Sequence, residues 1–247
     1  AALQPAQYTF DVTINYPAKT VDVEQEITYT NAAGTKLTNL LLAVEPNLDP
    51  GIFELETVTL ASQPTTNFTL DKQTLDIPLT TPLEPRQVIK VGLSYHLNVP
   101  QIIQGDPNIV RPQIFGYTSR QMNLVDWYPF IVPYRDGWVL HKPWYYGEHL
   151  VYDLADYNIT LRFTGMDEEP VVASSGVAEP DLGITHYRLK NARTYAFSIS
   201  DQFSVASQQV GDVKVNSYYL SDTYAAAGLA VLDATVRAVT TYTELFG

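Results

Sequence analysis

LVDWYPFIVPYRDGWVLHKPWYYGEHLVYDLADYNITLRF, residues 124–163, is the stretch whose reading decides the fold. It holds all three Trp of the chain, at 127, 138 and 144, with Tyr128, Tyr134, Tyr145, Tyr146, Tyr152 and Tyr157 among them. Pro129, Pro133, Pro143, Gly137 and Gly147 break it repeatedly. Its end then alternates cleanly, with Tyr157, Ile159, Leu161 and Phe163 on one face of a strand. Aromatics this dense bury large areas, but only if neighbouring segments supply walls. The stretch is therefore expected to be the seam where the earlier and later parts of the chain meet. Trp127, Trp138 and Trp144 are expected to be mostly buried there.

Upstream of the seam the chain is strand after strand. Residues 7–16 put Tyr8, Phe10, Val12 and Ile14 on one face. Residues 21–30 do the same with Val21, Val23, Ile27 and Tyr29. Further strands are expected at 37–44, 53–61, 68–70, 74–77 and 87–97, with turns at 31–34, 48–52 and 71–72. The run 98–113 carries three Pro and a Gly and reads as a long surface loop. Residues 114–117 and 121–124 lead into the seam. After it, strands are expected at 171–174, 184–189, 194–199, 203–207 and 213–219. Short strands with turns at short intervals predict an all-β fold, an antiparallel saddle-like sheet or sandwich.

The pattern changes at Ser221 and Asp222, either of which would serve as an N-cap. From 222 to 246, Leu229, Leu232, Val236, Val239, Tyr242 and Phe246 recur at intervals of three and four, which predicts one C-terminal helix with an apolar stripe. Gly228 interrupts it at a cost of about 1 kcal/mol relative to Ala. An isolated helix of this kind is marginal without packing. Its stripe is expected against the chain's own sheet or a second copy, so self-association through the helix is one expectation.

Totals exclude several classes. A net charge of −12 over 247 residues argues against nucleic acid and anionic membrane surfaces. There is no Cys, hence no disulfide, thiolate catalysis or Cys-ligated zinc. No apolar run is long enough to span a membrane as a helix. The charged fraction is low, 17%, with Thr, Asn, Gln and Tyr as the polar complement. That composition suits an extracytoplasmic or secreted protein. The start at Ala1-Ala2-Leu3 reads as a mature or excised piece of a longer chain.

Several stretches, in order, resemble the amino-terminal domain of the membrane alanyl aminopeptidase family, zinc aminopeptidases related to leukotriene hydrolase. They are YTN at 29–31 with LTNLLLAVEPN at 37–47, LDIPLTTPLEPRQVIKVGLSYHLNV at 75–99, WYPFIVPYRDGW at 127–138, GEHLVYDLADYNITLRF at 147–163 and VVASSG at 171–176. The resemblance covers nearly the whole chain. It implies that residues 1–220 form an amino-terminal β domain and that 221–247 is the first helix of a catalytic domain. It also implies zinc in the parent protein, a peptide substrate, and the catalytic domain as this domain's partner.

The zinc motif of such enzymes, His-Glu-x-x-His on a helix, is absent. His141, Glu148 and His149 are the nearest approach to a ligand group, and their spacing across Pro143 and Gly147 fits no known set. No metal, no cofactor and no catalytic residue is therefore expected in this chain. In the resembling family a Gln or Glu upstream of the WYP segment accepts a hydrogen bond from the substrate's free amino group. Gln121 stands nearest that place, although Arg120 precedes it, Asp126 stands where an Arg is common, and the surrounding family pattern is not kept. Asp126 and Glu148 are expected to cap turns or pair with Arg135. Two other readings remain open: a non-catalytic scaffold of the same family, and a stand-alone carbohydrate-binding or adhesion module in which the Trp residues form a stacking platform.

Overall fold

The computed structural model describes residues 5–103, 113–144, 148–220 and 223–247. Ser221, Asp222, Tyr145, Tyr146, Gly147 and most of the Pro-rich loop lie outside them. The first strands are β1 (Ala6–Asn15), β2 (Thr20–Thr30), β3 (Leu37–Ala43), β4 (Phe53–Leu60), β5 (Gln63–Pro64) and β6 (Thr69–Asp71). Next come β7 (Thr74–Leu83), β8 (Val88–Asn98), β9 (Gly116–Tyr117), β10 (Met122–Leu124), β11 (Phe130–Ile131) and β12 (Ala155–Thr164). The last are β13 (Val171–Ser174), β14 (Val177–Asp181), β15 (Ile184–Ala192), β16 (Phe197–Ser200), β17 (Phe203–Val210) and β18 (Val213–Leu220), followed by the helix α1 (Ala225–Phe246).

An eight-stranded sheet in the order β14-β15-β12-β1-β2-β8-β4-β5 carries the architecture. Two four-stranded sheets, β13-β16-β10-β9 and β11-β3-β7-β6, and the β17-β18 ribbon complete it. Between the described strands the pairing is antiparallel except for β1 and β12, which run parallel from Ala6 opposite Ala155 to Asn15 opposite Thr164. The alternation read at β1 and β12 holds: Tyr8, Phe10, Val12, Ile14, Tyr157, Ile159 and Leu161 are buried, and Phe163 packs at the edge of the same core.

The seam is real but narrower than its aromatic count suggests. Trp127 is fully buried; its ring lies 5.2 Å from that of Phe10 on β1 and 6.0 Å from that of Phe197 on β16. Its indole N–H donates to the Tyr195 carbonyl at 3.2 Å. Tyr128 donates to the Tyr157 hydroxyl, and the Tyr8 hydroxyl accepts from the Ile131 N–H. β11 adds the seam to β3, Phe130 opposite Ala43. Gln25, on the inward face of β2 where the alternation calls for an apolar side chain, donates to the Pro129 carbonyl at 2.7 Å. So residues 127–131 do join the first strands to the last.

The other two indoles correct the expectation. Trp138 is only partly buried, donating to Asn39 Oδ1, and Trp144 is 69% exposed. Beyond Pro133 the chain leaves the core, and density of aromatics alone does not return it. Other departures have local reasons. β7 continues past 77 through Pro78, because short β6 leaves that length of β7 unpaired on one side, where a residue without N–H is tolerated. β14 was hidden by its composition: an exposed edge strand containing Pro180 shows no alternation.

The helix begins at Ala225, with Tyr224 at its N-cap and no side-chain cap. It packs on β17 and β18. Gly228 and Leu232 are buried there, and Val236 and Val239 are half-buried. Leu229, Tyr242 and Phe246 are 52%, 63% and 80% exposed, so half of the expected stripe faces out. A two-stranded ribbon offers too little wall for a helix of 22 residues.

Candidate functional site around Gln121

The link from β9 to β10 is a tight loop at 118–121. The Thr118 hydroxyl accepts from the N–H groups of Arg120 and Gln121, and the Thr118 N–H donates to the Gln121 carbonyl at 2.8 Å. A threonine in this place closes its own turn. The segment after Phe197 pins the loop from outside. Ser200 Oγ donates to the Arg120 carbonyl at 2.5 Å, and Gln202 Nε2 donates to the Ser119 carbonyl at 3.2 Å.

Gln121 itself is half-buried. Its Nε2 donates to Asn123 Oδ1 at 3.1 Å, and the same oxygen accepts from Ser198 Oγ at 2.7 Å. Asn123 and Ser198 are register partners on β10 and β16, so the network is built on strands. Met122 and Leu124 alternate inward and are fully buried, which turns Gln121 and Asn123 to the other face. With Nε2 engaged, the Gln121 Oε1 is left as an acceptor with no hydrogen bond to a described residue. An amide oxygen so placed can take a hydrogen bond from an ammonium group.

The loop also touches the helix start. The Arg120 guanidinium donates to the Tyr224 hydroxyl at 3.4 Å and lies 5.9 Å from the centre of its ring. Lys19 lies over the rings of Tyr16 and Tyr117, at 3.9 and 5.4 Å, on the neighbouring side of β9. Burial pulls the Lys19 ammonium below its ordinary pKa, and Asp201 partly restores it.

The other candidates are not brought together with Gln121. Asp126 has a left-handed backbone (φ 53°), which lets Trp127 enter the core while the carboxylate faces away and accepts from the Tyr152 hydroxyl at 2.5 Å. Burial, then the Asp126 charge, hold the Tyr152 phenol far above its usual pKa. Asp126 lines a cavity of about 520 Å³ at the far end of β10, with Glu45, Asp49, Ile114 and Phe115. Glu148 is exposed, and Arg135 pairs with Asp153 at 2.6 Å rather than with either expected acid. His141 is exposed, its carbonyl accepting from Gln73, whereas His149 is buried against Glu45 at 3.1 Å. Among the described residues no three His, Cys, Asp or Glu side chains are placed to hold a metal ion. The described side chains do not fit a zinc site.

Ser174, Ser175 and Gly176 are structural. Ser174 Oγ bonds the Tyr195 hydroxyl, and a Cβ on Gly176 would lie 2.6 Å from that hydroxyl, so only glycine fits. Asn123, Ser198 and Tyr224 were not singled out in the sequence. Asn and Ser two positions from loop residues give no signal until pairing places them opposite each other.

No protein-family model matches the chain, and no curated protein does. Solved structures do. An M1 zinc metallopeptidase from Deinococcus radiodurans is 13% identical, with a TM-score of 0.55 over 88% of this chain and 48% of that one. A variant of the enzyme bound to a Tyr-Ser-Ala substrate gives 0.56 with the same coverage. Aminopeptidase A of Legionella pneumophila, in complex with aspartic acid, is 14% identical, with a TM-score of 0.53 over 92% of this chain and 25% of its own. The chain thus spans about half the length of the first of these proteins and a quarter of the last. At such identity the likeness shows a shared fold, the same one that the resemblance at 29–176 implied.

Proposed function

We propose that this chain is the amino-terminal β domain of a zinc-dependent aminopeptidase and covers one side of its active-site cleft. Gln121 would present its amide oxygen to the free amino group of a peptide substrate. The chain would not catalyse alone; zinc and its ligands would come from a catalytic domain whose first helix is α1. One observation carries this reading: Gln121 shows an acceptor oxygen on the loop that Arg120 ties to the start of α1. The shared fold supports the family but leaves the role to be tested.

The exposed apolar residues of α1, among them Leu229, Tyr242, Leu245 and Phe246, would pack on the catalytic domain. A second copy of the chain would use the same surface if that domain were missing. The low charged fraction, 17%, with Thr, Asn, Gln and Tyr as the polar complement, is the support for an extracytoplasmic or secreted location. Burial of Trp127 and partial burial of Trp138 leave Trp144 as the one widely exposed indole of the three, less than the stacking platform that the adhesion-module reading needs.

The test uses the full-length parent. It should release single residues from aminoacyl chromogenic substrates, lose activity to a chelator, and ignore N-acetylated substrates. Gln121→Ala should raise KM by about tenfold or more, the worth of a hydrogen bond to a charged group. A parent inactive on all such substrates would leave the scaffold reading. Unchanged KM in Gln121→Ala would remove the residue from the site.

A further inference from the structure

Asn123 Oδ1 receives two donors at once, the hydroxyl of Ser198 and the amide of Gln121. A carbonyl oxygen has two lone pairs and no proton to give, so both neighbours must donate to it. With the Asn123 oxygen turned toward both neighbours, the sense of the whole chain of bonds follows. The Ser198 hydroxyl points at Asn123, the Gln121 NH2 points at Asn123, and the Gln121 oxygen is turned away. If Asn123 were reversed, its NH2 would face both neighbours, and Gln121 would turn its own NH2 outward. The same fold would then offer a donor, suited to a carboxylate, in place of an acceptor, suited to an ammonium.

We propose that Asn123, held across the strands by Ser198, is the positioning residue that sets the polarity of the Gln121 amide and so selects a ligand carrying a protonated amine. The inference rests on the reading of Gln121 as the substrate-amine contact. Neither residue touches the ligand; both act through the amide. Their strand-to-strand register, Asn123 opposite Ser198, makes the arrangement rigid, and Ser200 on the same strand holds the loop backbone through the Arg120 carbonyl. The amide is therefore oriented before a ligand arrives, which removes an ordering cost from binding.

Two measurements test this. In the chain itself, nuclear magnetic resonance of the side-chain amides should show one Gln121 Nε2 proton slowed in exchange. Asn123→Leu should abolish the slowing, and Asn123→Asp, which can only accept, should keep it. In the full-length parent, Asn123→Leu should raise KM for aminoacyl substrates about two- to tenfold, the cost of freezing one freed side chain, with kcat little changed. Ser198→Ala should move KM the same way by less, and Asn123→Asp should restore most of the affinity. In the Gln121→Ala background Asn123→Leu should add nothing, whereas a merely structural defect would add its full effect. If Gln121→Ala itself has no effect, the underlying reading fails. If Gln121→Ala raises KM but Asn123→Leu does not, or Asn123→Asp behaves like Asn123→Leu, only the positioning role is overturned.

Discussion

The side chain of Tyr219 on β18 lies hard against Gly228 of α1: a Cβ on that glycine would sit 2.4 Å from Tyr219 Cδ1 and 2.5 Å from Cγ. Ser217 Oγ, two residues earlier on the strand, donates to the Gly228 carbonyl at 2.9 Å. The helix meets the β-ribbon at this contact. Gly228→Ala should therefore destabilise the chain despite alanine's better helix propensity. Overpacking costs about 1–3 kcal/mol, against about 1 kcal/mol gained in propensity. Denaturant midpoints of the two proteins check it, and a more stable alanine variant would show that the helix docks loosely.

Arg120→Ala should free the first turn of α1. The contact with Tyr224 is exposed and worth about 0.5–1 kcal/mol. Amide hydrogen exchange at 225–231 should speed several-fold while β1, β2 and β12 keep their protection. Equal loss of protection throughout would mean that Arg120 supports the β domain rather than the helix.

Acrylamide should quench tryptophan fluorescence in two populations. Trp127 is fully buried and Trp144 is 69% exposed. Trp144→Phe should remove most of the quenchable emission. Trp127→Ala should cost about 3–5 kcal/mol in a denaturant titration. Uniform quenching of the indoles would contradict the burial of Trp127.

Alkaline pH should unfold the chain. Burial raises the phenol of Tyr157 to about 12, against 10.0 for a free tyrosine, and does the same to Tyr29 and Tyr187. Above pH 10 the unfolded chain releases these protons and the folded one keeps them. The stabilisation is complete below pH 10 and is lost as pH climbs through 12. Denaturant midpoints should fall over that window, with phenolate absorbance rising together with loss of circular dichroism. A midpoint that stays flat to pH 12 would argue that these phenols are exposed.

Much of the fold was legible because side chains alternate wherever one sheet face is buried, as at Tyr8 to Ile14 and Tyr157 to Leu161. Trp144 shows where that reading stops: composition marks an aromatic stretch, but nothing local says which ring the sheets enclose. The helix stripe misled for a related reason. Spacing puts Leu232 and Tyr242 on one face, yet only the ribbon's extent decides that the first is covered and the second is not. At the site, the sequence pointed to Gln121 through its distance from Pro129. It could not reach Asn123 and Ser198, because their partnership spans 75 positions and exists only in the register of β10 and β16.

The parallel union of β1 with β12 also governs the order in which the molecule can be completed. β1, β2, β8 and β4 can pair as soon as residue 98 has left the ribosome, but one edge of β1 then stays bare. Its proper neighbour emerges only with residues 155–164, and Tyr8, Phe10, Val12 and Ile14 lack part of their cover until then. An open hydrophobic edge is a template for pairing with other nascent chains, and non-local pairing is slow. Synthesis of this protein therefore passes through an interval, set by the length between β8 and β12, in which the first strand is open to mispairing.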